Sequence, residues 1–249
     1  MHSAQHDRAQ DSVRKIATCA LRVGDGVWSY AEEHAGVIER DWQLAARDRP
    51  SYFNGVIHLL DQLSDVDGVL CGRLLRTDFK SYLYWRTAGF PDTGVRDGFG
   101  SALIRSADGA ILLGRQRAGN VNGGLAYLPG GFIDARDVDA GGGIDIAASI
   151  IRELAEETGL RREDVTIEPG FLVTESEAHV SIAKTFVSEL DAVALKAKIG
   201  RHIAADANSE LDDIVVVRDL AGLDGLAMPR YARVVVSAVL AGGGSRWGL

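Results

Sequence analysis

The sequence predicts an α/β protein with a small α+β segment in front, and three observations lead there. Short apolar, strand-like runs lie on both sides of a helix that carries clustered carboxylates. A last apolar stretch, Arg230 to Leu240, reads as a closing helix. Pro91-Asp92-Thr93-Gly94 has linker composition and separates this half from a differently patterned beginning. The division falls near residue 95 and gives segments 1–95 and 96–249.

The front segment is expected to hold one long helix, Asp25 to Arg49. Val27, Ala31, Ala35, Ile38, Trp42 and Ala45 recur at three- and four-residue steps, and Pro50 follows as a stop. Apolar runs at Ile16 to Val23, Val56 to Leu60 and Val69 to Leu75 surround it, and an aromatic run spans Phe79 to Trp85. Beyond the linker, Ala102 to Ile104 and Ala110 to Leu113 flank Ala107-Asp108-Gly109, a hairpin turn. A loop rich in glycine and asparagine, Ala118 to Gly124, leads through Leu125 to Leu128 into Pro129-Gly130-Gly131. After the central helix come strand-like Phe171 to Val173, Val180 to Val187 and Asp213 to Val217. Asp191 to Gly200 reads as a helix or a connection.

Composition narrows the function. With 46% hydrophobic and 25% charged residues among 249, the chain has the makeup of a globular protein with a sizeable core. No stretch has the apolar length of a membrane span, so no membrane partner is expected and a cytoplasmic location is the default. Met1 to Ser12 is polar and lacks the apolar centre of a signal peptide. Net charge is −8 with no basic stripe, which argues against a nucleic-acid surface. Cys19 and Cys71 offer neither a disulfide framework nor metal-ligand spacing, and are expected as buried small residues.

The chemistry lies in Arg152-Glu153-Leu154-Ala155-Glu156-Glu157-Thr158-Gly159-Leu160. Glu153, Glu156 and Glu157 stand at i, i+3 and i+4 and share one helix face. Carboxylates packed so closely repel one another unless a cation sits among them, and hard divalent ions prefer oxygen ligands. A solvated helix face has the same pattern. Here Ala147, Ile150, Ile151 and Leu154 form an adjoining apolar stripe, so the acidic face borders the buried one and can line a cleft. Gly159 stands where a helix C-cap glycine belongs, and Gly130-Gly131 permits close backbone approach.

Gly130-Gly131 followed by Arg152-Glu153-Leu154-x-Glu156-Glu157-x-Gly159-Leu160 resembles the Nudix box, G-x5-E-x7-R-E-U-x-E-E-x-G-U with U apolar. The resemblance implies a Nudix α/β/α sandwich over roughly 96–243. It also implies hydrolysis of a nucleoside diphosphate linked to another group, with Mg²⁺ or Mn²⁺ held by Glu153, Glu156, Glu157 and the Gly130 carbonyl. Arg152 would orient a helix carboxylate, most simply Glu156. The second half of the box matches at every fixed position, but the stretch from Gly131 to Arg152 is seven residues too long. If the excess is Ala135 to Gly142, Ile144 falls where the first glutamate belongs, with Asp134 or Asp145 as substitutes.

Further candidates are weaker. Arg115 and Arg117 share one side of a strand end and suit phosphate binding, though surface arginines look the same. Lys184 is a third candidate for phosphate. Glu210 lies where some Nudix enzymes supply another carboxylate, as base or extra ligand. Glu175, Glu177 and His179 sit between two strands, and Tyr127 precedes the glycine pair; packing explains these equally well.

Trp42, Tyr52-Phe53-Asn54-Gly55 and Leu74-Leu75-Arg76-Thr77-Asp78-Phe79-Lys80-Ser81-Tyr82 resemble the front domain of the Nudix branch that splits UDP-glucose and UDP-galactose. This implies a UDP-sugar substrate, with UMP and a sugar 1-phosphate as products. Other Nudix substrates stay open: ADP-ribose, dinucleoside polyphosphates and noncanonical nucleoside triphosphates. A non-catalytic nucleotide-binding regulator is the alternative from another class. The front segment could grip substrate or build a homodimer.

Overall fold

The computed structural model describes residues 11–242. Its front segment contains strands β1 (Ser12–Ile16) and β2 (Thr18–Val23), helices α1 (Ser29–Glu33) and α2 (Ala35–Asp48), strands β3 (Val56–Val66) and β4 (Val69–Asp78), and helix α3 (Phe79–Thr87). There follow β5 (Asp97–Arg105), β6 (Ile111–Gln116), β7 (Ala126–Tyr127), β8 (Gly130–Phe132) and β9 (Gly143–Ile144), then the carboxylate helix α4 (Ile146–Thr158). The chain closes with β10 (Thr166–Ile167), β11 (Phe171–Ser176), β12 (His179–Val187), α5 (Ala192–Ala205), β13 (Leu211–Val217) and α6 (Arg230–Gly242).

The main sheet runs β1-β11-β12-β5-β6-β13, with β7, β8 and β10 attached to β6, β5 and β12. Within it β12 and β5 are parallel. Strand alternation serves two apolar faces. Ala102, Ile104 and Leu112 pack with Ile146, Ile150 and Leu154 of α4 and with Leu195, Ile199 and Ile203 of α5. Leu103, Ile111 and Leu113 point the other way and meet Val235 and Val236 of α6. Helices on both faces of one sheet make this an α/β/α sandwich.

A second sheet, β3-β4-β2-β9, lies in front, and strands cross between the two. β1, from the start of the chain, pairs antiparallel with β11 of the main sheet. β9, from the lengthened box, pairs with β2, setting Ile144 opposite Leu21. Backbone hydrogen bonds join Leu60 to Arg96, and the His58 N–H donates to the Ile133 carbonyl at 3.0 Å. Leu21, Leu60, Leu70 and Leu74 share one apolar cluster with Ala102 and Ile150.

Three local expectations need correction. The long helix at Asp25 to Arg49 is two helices broken at His34, and residues 25–28 are not helical. Trp28 is the cause at the start: it is extended, buried, and donates its indole N–H to Asp92 at 2.7 Å. At the break, His34 Nδ1 lies 2.8 Å from the Tyr30 carbonyl and the two rings stack. Val27, assigned to the buried stripe, is exposed, whereas Ile38 is buried. Ser12, at the end of the polar beginning, starts a strand; residues 1–10 lie outside the described residues. Cys19 and Cys71 are free and only half-buried, and burial pushes the Cys19 thiol up to about 12. Among the described residues no helix is long and apolar enough to cross a membrane.

Glu175 of β11 fastens the sheet edge. It pairs with Arg14 on β1 and with Arg96 just before β5. Burial alone would raise its pKa, but the two guanidiniums more than reverse this and hold it below the usual 4.5. A depressed carboxylate stabilises the fold above its unfolded pKa and loses that contribution as pH falls through its folded value. Glu175→Gln should therefore cost about 2 kcal/mol at pH 7, with the cost shrinking in acid below pH 4.5. Urea unfolding at both pH values checks this, and an equal cost at each would contradict it.

Candidate active site

α4 begins at Asp145, whose side chain accepts from the Ala148 N–H at 3.0 Å, so this residue is spent as a helix cap. The helix ends at Gly159, left-handed at φ 70°. A Cβ there would meet the His202 ring at 2.7 Å. Ile150 and Leu154 are buried, which turns Glu153 and Glu157 toward the loop at β8. β8 pairs with β5 through Ser101 opposite Gly130 and Gly100 opposite Gly131. A Cβ on Gly130 would stand 2.1 Å from the Gly100 carbonyl oxygen, so this approach requires glycine, whereas one on Gly131 would meet the end of the Glu153 side chain at 2.8 Å.

Glu157 is the most confined of the three carboxylates. It is 6% exposed, and its Oε1 accepts from the Gly130 N–H at 3.3 Å. Its Oε2 is buried and has no hydrogen-bond partner. Burial pushes its pKa well above the ordinary value, and the charges of Glu210 and Glu153 push it further. Burial also raises Glu153, partly offset by the Arg152 hydrogen bond. Glu210 is raised by burial and then by the charge of Glu156. The structure thus sets Glu153 and Glu157 against the glycine pair, with Glu210 and Glu156 near enough for their charges to act on Glu157.

Arg152 holds one side of this cluster. It donates to Asp137 at 2.7 Å and to Glu153 at 3.0 Å, while Glu156 lies 3.8 Å from its Nε. Its closest acidic partner is therefore Asp137, a buried residue that sequence reasoning missed. Counting from Gly131 without removing an insert, Asp137 follows after five residues, in the first acidic position of the box pattern. Fourteen residues then separate it from Arg152 where the pattern has seven.

The excess length therefore lies after Asp137 and not at Ala135 to Gly142. It is spent on β9 and on the bridge between Val138 and Ile144. Ile144 is a core residue of the front sheet, not a displaced acid. Asp134 caps the turn Ala135–Asp137 and pairs with Arg136 at 2.8 Å. Arg136 in turn stands 3.6 Å from both Glu153 and Glu156.

The remaining candidates are placed elsewhere by their hydrogen bonds. Arg115 donates to the Gly124 carbonyl at 3.3 Å, and Arg117 to that of Ala207 at 2.7 Å. Lys184 donates to the Glu168 and Gly170 carbonyls, each at 3.1 Å, and lies over the Phe171 ring. Among the described residues no side-chain hydrogen bond ties any of the three to the clustered carboxylates, although the Arg117 N–H donates to the Glu210 carbonyl at 2.8 Å. Glu177 pairs with Arg230 at 3.4 Å, and His179 lies 4.0 Å from Asp97. Tyr127 is nearer the centre: its hydroxyl accepts from Asn122 at 3.0 Å, and the charges of Glu157 and Glu210 bear on it.

Among the described residues, no three acidic, histidine or cysteine side chains converge on a point as they stand. The outer carboxylates face Arg136 and Arg152 instead. The donor chemistry nevertheless suits a hard divalent cation. A buried carboxylate oxygen without a partner, beside two further carboxylates of raised pKa, is costly alone and favourable next to such an ion.

An α/β/α sandwich with a glycine loop laid against a carboxylate helix is the arrangement expected from the resemblance to the Nudix box. The comparisons agree: the model of the NUDIX domain matches residues 95–224. This chain belongs to the NUDIX family. Solved structures with a similar fold include the MutT protein of Methanosarcina mazei Go1, 23% identical over 58% of this chain and 92% of that one, TM-score 0.39. Another is a bifunctional NMN adenylyltransferase/ADP ribose pyrophosphatase from Francisella tularensis, complexed with AMP and a Mn ion. It is 20% identical over 64% of this chain and 44% of that one, TM-score 0.40. Shewanella oneidensis NrtR, complexed with a 27mer DNA, is 18% identical over 57% of this chain and 59% of that one, TM-score 0.36. No curated protein matches the chain.

Asp137→Asn should free Arg152 and lower turnover by about ten- to a hundredfold, as lost outer-shell support does. Its melting temperature without metal serves as the control. Wild-type turnover in this variant would remove Asp137 from the site. Glu157→Gln should lower turnover by about a hundredfold or more. The same change should leave the metal-free protein at least as stable. A carboxylate whose folded pKa is raised destabilises the fold once pH exceeds its unfolded value, and glutamine carries no such penalty. A metal-free variant that melts below wild type at pH 7 would contradict the confinement of Glu157.

Proposed function

We propose that this chain hydrolyses the diphosphate of a nucleoside diphosphate joined to another group, with a UDP-sugar as substrate and UMP and a sugar 1-phosphate as products. The observation that carries the hydrolase is Glu157, buried and unpartnered at one oxygen beside Glu153 and Glu210, under the Gly130 amide. Glu153, Glu156 and Glu157, with the Gly130 carbonyl, would hold Mg²⁺ or Mn²⁺. When bound, such an ion supplies charge neutralisation at the phosphates and a more acidic water. Arg152 keeps Glu153 in place through its bonds to Asp137 and Glu153. Glu157 and Glu210, whose charges act on one another, are the carboxylates proposed to take the proton of the attacking water.

The choice of a UDP-sugar rests on the front-segment resemblance. There Trp42, Tyr52 and Phe79 form a ring cluster, with centroids 5.6 to 6.5 Å apart. Asn54 accepts from the Lys80 N–H at 2.8 Å and so fixes the start of α3. ADP-ribose, dinucleoside polyphosphates and noncanonical nucleoside triphosphates share the anhydride chemistry and are the alternatives. Asp137 in the first acidic position of the box favours turnover over a purely regulatory role. The acidic balance keeps nucleic acid out of the proposal, and cytoplasmic location stays with it.

The test is product release from UDP-glucose, UDP-galactose, ADP-ribose, dinucleoside polyphosphates and nucleoside triphosphates, with Mg²⁺ and with chelator. Chelator-sensitive formation of UMP and a sugar 1-phosphate is expected. Cleavage of another member alone would replace the substrate and keep the hydrolase. Binding without turnover across the panel would support the regulator.

A further inference from the structure

A chain of net charge −8 that binds a diphosphate needs cationic side chains facing it. Arg115, Arg117 and Lys184 are all bonded to backbone carbonyls. Arg152 and Arg136 are engaged by Asp137, Glu153 and Asp134. One arginine differs. Arg86, in the last turn of α3, is half-buried and forms no ion pair among the described residues. Its Nη2 donates to the Asn122 side-chain oxygen at 2.7 Å, and Asn122 donates on to the Tyr127 hydroxyl at 3.0 Å. Tyr127 lies three residues before Gly130, whose amide holds Glu157.

The surroundings of Arg86 are polar atoms set in aromatic walls. Its charge bears on Tyr127, Tyr231, His179 and the buried Asp97. Asp97 accepts from Tyr82 at 2.8 Å and keeps its other oxygen buried without a partner. The loop that carries Asn122 is held from the front segment a second time, by Arg49, which donates to the Gly119 carbonyl at 2.7 Å. A guanidinium has five donors, and the Asn122 oxygen and the Tyr82 hydroxyl leave part of this fork available. Asp97 acts on Arg86 through charge without an ion pair, so a half-buried guanidinium gains from an anion that takes its remaining donors.

We infer that Arg86, carried by the front segment, is a substrate-binding residue that grips the diphosphate over the Gly130 loop. Asn122 and Tyr127 are positioning residues that aim it. This inference rests on the diphosphatase reading above, and it assigns the front segment to the substrate site.

The experiment measures binding by calorimetry with Mn²⁺ present, so no turnover is needed. The probes are the α,β-methylene analogues of UDP and ADP, which carry an uncleavable diphosphate. Wild type, Arg86→Gln, Arg86→Lys and Asn122→Ala are compared, with melting temperature and Mn²⁺ affinity as controls. Arg86→Gln should weaken the preferred probe about tenfold or more, as loss of a charge-assisted bidentate contact does. Asn122→Ala, which removes the aim but keeps the charge, should cost less. If Arg86→Gln does not fold, Arg86→Lys replaces it, with a several-fold loss expected because the charge stays and the fork goes. Equal losses in Arg86→Gln and Asn122→Ala would mean that the arginine only pins the loop, and would overturn the inference. Wild-type affinity in the Arg86 variants would do the same, with the diphosphatase reading intact. No binding of either probe to wild type, with Mn²⁺ bound, would overturn both.

Discussion

The confinement of the Glu157 carboxylate sets the demands that the rest of the site meets. A buried carboxylate beside two others is costly in a low-dielectric setting. One oxygen takes the Gly130 amide, and the other, buried without a partner, would be offset by a cation in the proposed reading. That arrangement needs the backbone at Gly130-Gly131 close enough to α4 for a Cβ on Gly131 to collide with Glu153. It also needs α4 fixed in rotation, which Ile150 and Leu154 provide from the apolar side. The helix limits serve the same end: Asp145 caps its start, and Gly159 turns the chain away at its end.

The lengthened box is part of this support. Asp137 stays in register with the glycine pair and takes the Arg152 guanidinium, so the added residues come after the lock. They form a strand on the front sheet, whose β3 borders the same loop through His58 and Ile133. With β1 lent in the opposite direction to the main sheet, each half holds an edge of the other. Such exchange makes local loosening of the box loop costlier, because it must disturb both sheets.

How much of this could be read from the sequence depended on whether the signal was local. Glu153, Glu156 and Glu157 at helical spacing, the Gly159 cap and the strand runs on either side of α4 are short-range patterns, and the structure has those elements. Asp137 was legible by counting five residues from Gly131. It is hidden when the excess length is taken as Ala135 to Gly142, a polar and glycine-rich run that contains it. Other features were out of reach. Trp28 breaks the helical stripe by docking on Asp92, 64 residues away in the chain, which no periodicity records. Lys184 has a phosphate binder's chemistry, yet its ammonium is satisfied by Glu168 and Gly170 carbonyls set by the turn before β11. Arg86 gave no signal, since it closes an aromatic helix with no phosphate-binding motif around it.

Charge placement links these features. The acidic helix face would repel an anionic substrate, and a bound cation offsets only part of that repulsion. Arg136 and Arg152 are turned inward on Glu153 and Glu156 at 3.0 to 3.8 Å, so they quiet the cluster and offer an incoming anion little. In the proposed reading, attraction for the substrate's second phosphate would come from a cation outside that network. The topology makes the front segment a suitable source. α3 starts at Asp78, directly after the longest strand pair of the front sheet, and ends at the loop before the glycine pair. A helix set between that sheet and the box loop can present a guanidinium that pairs with no carboxylate of the box helix. On the proposed reading, fusing an α+β segment to the sandwich would separate two tasks that conflict on one helix: gathering carboxylates for a metal and presenting positive charge to a phosphate.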